Sequence, residues 1–87
     1  MSNDSFDVVW DKIISNEGNK FHTVTNLEFT YRINNNILIP SRTEYNISRN
    51  NIKKAFDLLP VSGPGDISNV VQGSSYVWAI LNDKRIS

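Results

Sequence analysis

An alternation of apolar and polar residues constrains the fold of this chain more than any other feature. Between Leu27 and Ile33 every second residue is apolar, which is the period of a β-strand with one buried face. Three asparagines follow, and a second β-prone segment begins at Ile37. Because Asn tolerates the left-handed backbone region better than most side chains, Asn34–Asn36 are predicted to form a hairpin loop.

The length of that loop decides which residues of the two strands face each other. A loop of three residues places Tyr31 opposite Ile39 on the core face. The same register sets Glu28 across from Arg42 on the polar face, where the two charges would form a cross-strand ion pair. Pro40 has no N–H to donate to a sheet, so the second strand is expected to lie at an edge or to be interrupted there.

Helices are predicted on both sides of the strands. Residues 5–16 carry apolar side chains at the i, i+3, i+4 and i+7 spacing of one buried stripe, with Ser5 as N-cap. Residues 48–59 carry a second stripe, with Ser48 as N-cap. Pro60 is expected to end this second helix, because the residue before proline avoids helical backbone.

A third helix is predicted to begin at Gly73-Ser74-Ser75, with Ser74 as its N-cap. Residues 76–81 are apolar throughout, and such a helix is either enclosed by its own domain or shared with a partner chain. The preceding segment, residues 60–73, is predicted to be a loop that apolar side chains hold against the core. Those side chains are Ile67, Val70 and Val71.

The expected fold is a single α+β domain over residues 1–87, in the order α-β-β-β-α-α. An antiparallel hairpin or small sheet would carry the helices on one face. Trp10 and Ile13 are expected to cover one side of the core. The predicted core itself consists of Phe29, Tyr31, Ile39, Tyr45, Ile52, Phe56, Val77, Ile80 and Leu81.

Composition excludes several kinds of site. The chain has no cysteine, so neither a disulfide nor a thiolate metal site can form. Its single histidine, His22, has no partner at a metal-ligating or catalytic spacing, and we expect no catalytic residue, metal or cofactor. The first residues lack the features of a signal peptide, and the longest apolar run, Tyr76–Leu81, is too short to span a bilayer. We therefore expect a cytoplasmic protein without a membrane partner.

The charged residues are unevenly distributed in a chain whose formal net charge is zero. From Arg32 to Lys54 there are five cations and one anion, a pattern that suggests an anionic partner such as a nucleic acid or an acidic protein surface. Overall neutrality and a solvated helix face are the opposing arguments. The candidate binding residues are Arg32, Arg42, Arg49, Asn50, Lys53 and Lys54.

The sequence thus favours a small non-enzymatic binding or adaptor protein, with nucleic acid as one candidate partner. Two alternatives are open. The apolar third helix could form a homodimer interface through Tyr76 and Trp78, together with the N-terminal helix. The helix start at Ser74 and Ser75 could instead form an enzyme site or bind an anion or small ligand, provided that these residues and Arg42 converge on one pocket.

Overall fold

A computed structural model of the protein describes residues 6–59 and 63–86. Within these residues, helices flank five short strands in two antiparallel sheets, one of order β1-β2 and the other of order β3-β4-β5. A 3₁₀ turn, Pro64–Ile67, precedes the last helix. The elements are α1 (Phe6–Ser15), β1 (Phe21–His22), β2 (Glu28–Phe29), β3 (Tyr31–Asn34), β4 (Ile37–Pro40), β5 (Ile47–Ser48), α2 (Arg49–Leu58) and α3 (Ser74–Leu81). The predicted α+β class is confirmed, although the strand region is divided more finely than expected.

The β3–β4 hairpin has a loop of two residues, so the predicted three-residue loop was wrong. Asn34 pairs with Ile37. Asn35 and Asn36 have φ angles of 51° and 66°, and positive φ at both central residues is the requirement of a type I′ turn. This turn matches the right-handed twist of the flanking strands, whereas a longer loop would not close the hairpin at the same point.

The one-residue change in register places different residues in the core. Tyr31 lies opposite Pro40 and Ile33 lies opposite Leu38, and Leu38 is fully buried. Ile39 is opposite Arg32 on the outer face and is half-buried. The prediction of Ile39 as a core residue was therefore wrong.

Tyr45 was also wrongly assigned to the core, since its side chain is 41% exposed. It belongs to the irregular segment between β4 and β5, where the strand alternation no longer applies. The other predicted core residues are buried, except Phe56, which packs partly exposed against the core.

The helices pack on the face of the sheet that carries Leu38. Ile13 of α1 and Ile52 of α2 meet Leu38 around one narrow apolar gap, which Val77 and Ile80 of α3 complete. Four of the eight residues of α3 are buried, so this helix is largely enclosed by its own domain. In the part of the chain that the structure describes, no helix is both long and apolar enough to span a membrane.

Helix ends follow the predicted capping residues in part. Ser48 caps α2 by accepting a hydrogen bond from the Asn51 amide, as expected. Leu59 is extended, which fits a following proline, although Pro60 itself and the predicted cap Ser5 lie outside the described residues. Ser74 is not an N-cap, because Gly73 takes that position in left-handed backbone and Ser74 is the first helical residue.

Tyr31 joins the sheet to α1. Its hydroxyl donates a hydrogen bond of 2.5 Å to the Ile13 carbonyl, and its ring centroid is 5.3 Å from that of Phe21. Burial raises the pKa of the Tyr31 phenol well above its ordinary value, so the hydroxyl is a hydrogen-bond donor at every physiological pH.

Arg85 holds the end of the chain against β1. Its guanidinium lies 4.1 Å from the centroid of the Phe21 ring and donates a 2.8 Å hydrogen bond to the Lys20 carbonyl. It also donates to Asp83 through Nε at 2.9 Å. This hydrogen bond is the main cause that lowers the pKa of the Asp83 carboxyl below its ordinary value of 3.8.

Changing Asn36 tests whether left-handed backbone fixes the hairpin. Asn36→Gly should keep or slightly raise the free energy of unfolding, because Asn-Gly is the preferred pair for this turn. Asn36→Ala should lower it by about 1 kcal/mol, the cost of a left-handed alanine. Urea unfolding of the two variants measures the difference, and equal stabilities would contradict the type I′ assignment.

Asp83→Asn tests the contribution of the Arg85 contact to stability. A carboxyl whose folded-state pKa is depressed stabilises the fold above its ordinary pKa, and this stabilisation is lost as the pH falls through the folded-state value. Asp83→Asn should therefore be less stable than wild type at neutral pH, and the gap should narrow below the ordinary pKa of 3.8. Urea unfolding at neutral pH and below the ordinary pKa measures this difference in the free energy of unfolding. Asp11→Asn, which alters an exposed carboxylate on α1, serves as the control and should show a smaller gap at neutral pH.

Candidate functional site

The predicted basic residues do not form one surface. The Arg49 guanidinium forms an ion pair with Asp7 and lies 5.0 Å from the centroid of Phe6 and 5.9 Å from that of Trp10. A partly buried arginine between a carboxylate and two aromatic rings ties α2 to α1. The positive charge of Arg49 is therefore compensated by Asp7 within the fold.

The other candidate binding residues on α2 and β3 differ in whether an acidic side chain pairs with them. Lys53 donates to Asp57 at 3.0 Å, one helical turn away. Asn50 and Lys54 are exposed on the same helix, while Arg32 is exposed on β3. Among the described residues, Arg32 and Lys54 have no ion-pair partner.

The predicted ion pair between Glu28 and Arg42 is absent, because Glu28 pairs with β1 rather than with the segment that carries Arg42. The Glu28 carboxylate lies 3.6 Å from Lys20 Nζ and 3.8 Å from His22 Nε2. Arg42 makes one long contact with the Glu28 main chain, in which Nη1 donates to the carbonyl at 3.4 Å. Its guanidinium has no carboxylate partner in the described part of the chain.

Arg42 lies in the same cleft as the two serines of the predicted anion site. We call this depression, with a volume of about 400 Å³, the arginine cleft. The segment after β4 forms one wall and the start of α3 forms the other, so the fold brings together residues that are far apart in the sequence. The cleft is lined by Arg42, Thr43, Tyr45, Gly73, Ser74, Ser75 and Tyr76.

Gly73 allows the two walls to approach closely. Its φ of +66° is a left-handed value, and a Cβ at this position would lie 2.9 Å from Cδ2 of Tyr45. Any other residue would thus be strained and would also push Tyr45 away. The glycine provides no side-chain cap for α3, and the amides of Ser74 and Ser75 donate no hydrogen bond to the described residues.

The predicted interface residues are packed mainly within their own domain. The Tyr76 ring meets Phe29 edge to face at a centroid distance of 4.9 Å. Trp78 is half-buried against the core, and its indole Nε1 is buried without a hydrogen-bond partner in the described residues. The homodimer interface remains a prediction from the sequence.

Two lining residues, Thr43 and Tyr45, were missed as site residues. Tyr45 was predicted to be a core residue, which hid its position in the cleft. Pro40 was the available signal, because an expected break there places the following residues outside the sheet. Within residues 6–59 and 63–86, no group of three His, Asp or Glu side chains could hold a metal ion.

Comparisons with known proteins add no further assignment. No protein family, curated protein or solved structure matches the chain. Any function is therefore inferred from the geometry of its own residues.

Replacing Gly73 by alanine, in comparison with the same change at two other glycines, tests the role of the backbone in the arginine cleft. Gly73→Ala should lower the free energy of unfolding by about 2–3 kcal/mol, because left-handed strain adds to crowding against Tyr45. Gly18→Ala should cost about 1 kcal/mol, since its φ is +86° but no atom lies within 4 Å of the added Cβ. Gly65→Ala has neither problem and serves as the control. Equal losses of stability in Gly73→Ala and Gly18→Ala, measured by thermal unfolding, would show that crowding against Tyr45 does not matter.

Proposed function

We propose that the protein is a small non-enzymatic binding protein and that the arginine cleft holds an anionic group of its ligand, such as a phosphate or a carboxylate. The observation that carries this proposal is the convergence of Arg42 with Ser74 and Ser75 in one cleft. Each of these side chains supplies hydrogen-bond donors, and arginine adds a positive charge with planar, bidentate geometry.

The electrostatics of the cleft support an anion. Arg42 has no carboxylate partner among the described residues, so its charge is not compensated within the fold. The two uncommitted amides at the start of α3 add donors where the helix dipole is positive. No acidic side chain is among the lining residues, so no negative charge there would repel a bound anion.

Catalysis is less well supported than binding. A serine nucleophile needs an adjacent general base, and no histidine or carboxylate is among the residues that line the arginine cleft. His22 lies on β1 beside Glu28 and does not line the cleft.

Nucleic-acid binding through the whole basic segment is also less well supported. Arg49 and Lys53 are paired with acids, and the exposed Arg32 and Lys54 belong to different elements, β3 and α2. A phosphate-binding surface needs several uncompensated cations along one track. Nucleic acid and an acidic protein surface therefore stay predictions of the sequence.

Titration with inorganic phosphate tests the proposal. Amide resonances of Ser74 and Ser75 should shift in a ¹H–¹⁵N correlation spectrum. Arg42→Ala should weaken binding about tenfold or more, since a hydrogen bond to a charged group contributes about 1.5–3 kcal/mol. Ser74→Ala with Ser75→Ala should weaken it less, because the main-chain amides remain.

The matched control is Arg32→Ala, which removes another exposed arginine without a carboxylate partner in the described residues. It should leave phosphate affinity unchanged at constant ionic strength. Equal losses in the two arginine variants would indicate unspecific charge attraction and contradict the proposal. Shifts confined to the amides of α2 would instead favour the basic helix face.

A further inference from the structure

A second cleft is lined by carboxamide side chains. It has a volume of about 450 Å³ and lies between the start of β5 and the segment that precedes α3. We call it the carboxamide cleft. Its carboxamides are those of Asn46, Asn51, Asn69 and Gln72. None of these four side chains forms a hydrogen bond with the described residues.

The chemistry of the lining defines the ligand it suits. A carboxamide offers both donors and acceptors without charge, and no ionisable side chain is among the lining residues. The half-buried Val70 adds an apolar part to the same cleft, and the buried Ile47 lies at its wall. The peptide backbone, with alternating N–H and C=O groups and apolar side chains between them, matches this combination. Sugars usually stack on aromatic rings, and none is among the lining residues.

The two edges of the three-stranded sheet differ in a way that favours a peptide at this cleft. At the β3 edge, the Gly18 amide donates to the Tyr31 carbonyl at 3.1 Å. The Ile33 amide donates to the Glu17 carboxylate at 2.9 Å. These contacts block β3 against pairing with another strand.

The β5 edge is different. This strand pairs with β4 on one side, and within the described residues no strand lies on its other side. Ile47 of β5 and the preceding Asn46 line the carboxamide cleft. An edge strand beside a cleft is the arrangement in which an extended peptide can add as a further strand.

We propose that the carboxamide cleft binds an extended, uncharged peptide segment of a partner protein, which adds as a strand to the edge of β5. Its main chain pairs with β5, the carboxamides bind its remaining amide groups, and one apolar side chain packs on the half-buried Val70. This site is separate from the arginine cleft, and its test does not depend on anion binding.

Selection of random heptapeptides displayed on phage against the whole chain supplies the probe. The selected sequences, made with acetylated and amidated ends, should lack charged residues at their centre. Asn51→Ala and Asn69→Ala should each weaken binding about tenfold in fluorescence anisotropy, the effect of losing one or two buried hydrogen bonds. Asn50→Ala is the matched control, because Asn50 neighbours Asn51 on α2 without lining the cleft, and it should bind like wild type.

Methylation of peptide nitrogens separates strand addition from side-chain contacts. In a strand pair, alternate residues direct their N–H groups toward the neighbour. Methylating the set of amides that faces β5 should therefore abolish binding, whereas methylating the other set should weaken it about tenfold, because only the bonds to the carboxamides are lost. Equal binding of the two methylated peptides would overturn the proposal. So would failure to select any peptide, equal losses at Asn50 and Asn51, or binding of maltotriose with shifts of the cleft amides in place of peptide binding.

Discussion

The left-handed pair Asn35–Asn36 is the constraint on which the rest of the fold depends. A turn with positive φ at both residues joins β3 to β4 in one register, and that register directs Leu38 toward the helices. A slip of one residue would turn Leu38 outward and replace it with Ile37 and Ile39. Ile13, Ile52, Val77 and Ile80 would then lose the side chain around which α1, α2 and α3 meet.

The same register makes the sheet asymmetric. Tyr31 faces the core opposite Pro40 and binds the Ile13 carbonyl near the end of α1. The chain leaving α1 therefore passes along β3, where Glu17 and Gly18 occupy main-chain groups of the strand. The Tyr31 hydrogen bond thus positions α1, and the residues that follow α1 cover the β3 edge, which would otherwise be open to pairing with other chains. The opposite edge has no such contact in the described residues, and the carboxamide cleft lies there.

Local patterns predicted the helices well and the strand register poorly. The apolar stripes of α1 and α2 repeat at a helical period, and the limits of these two helices were correct to within about two residues, as is usual for helix boundaries. The register of the hairpin was predicted wrongly because Ile37, Leu38 and Ile39 are consecutive apolar residues, so either face of this strand could be the buried one. Two-residue and three-residue loops therefore satisfy the alternation equally, and only the left-handed backbone of Asn35 and Asn36 identifies the shorter loop. Arg42, Ser74 and Ser75 were identified by residue type, but their convergence depends on the tertiary fold.

Ion pairing explains why the number of cations in the sequence overstated the basic surface of the folded protein. Asp7 and Asp57 compensate Arg49 and Lys53, whereas Arg42 lines the arginine cleft together with hydroxyl groups and the start of α3. Gly73 lines the arginine cleft, and the adjacent Gln72 lines the carboxamide cleft. A Cβ on Gly73 would meet Tyr45 at one cleft and, at 3.4 Å, Ile47 at the other. The distance to Ile47 is an ordinary van der Waals contact, so a side chain at the left-handed glycine would chiefly alter the shape of the arginine cleft.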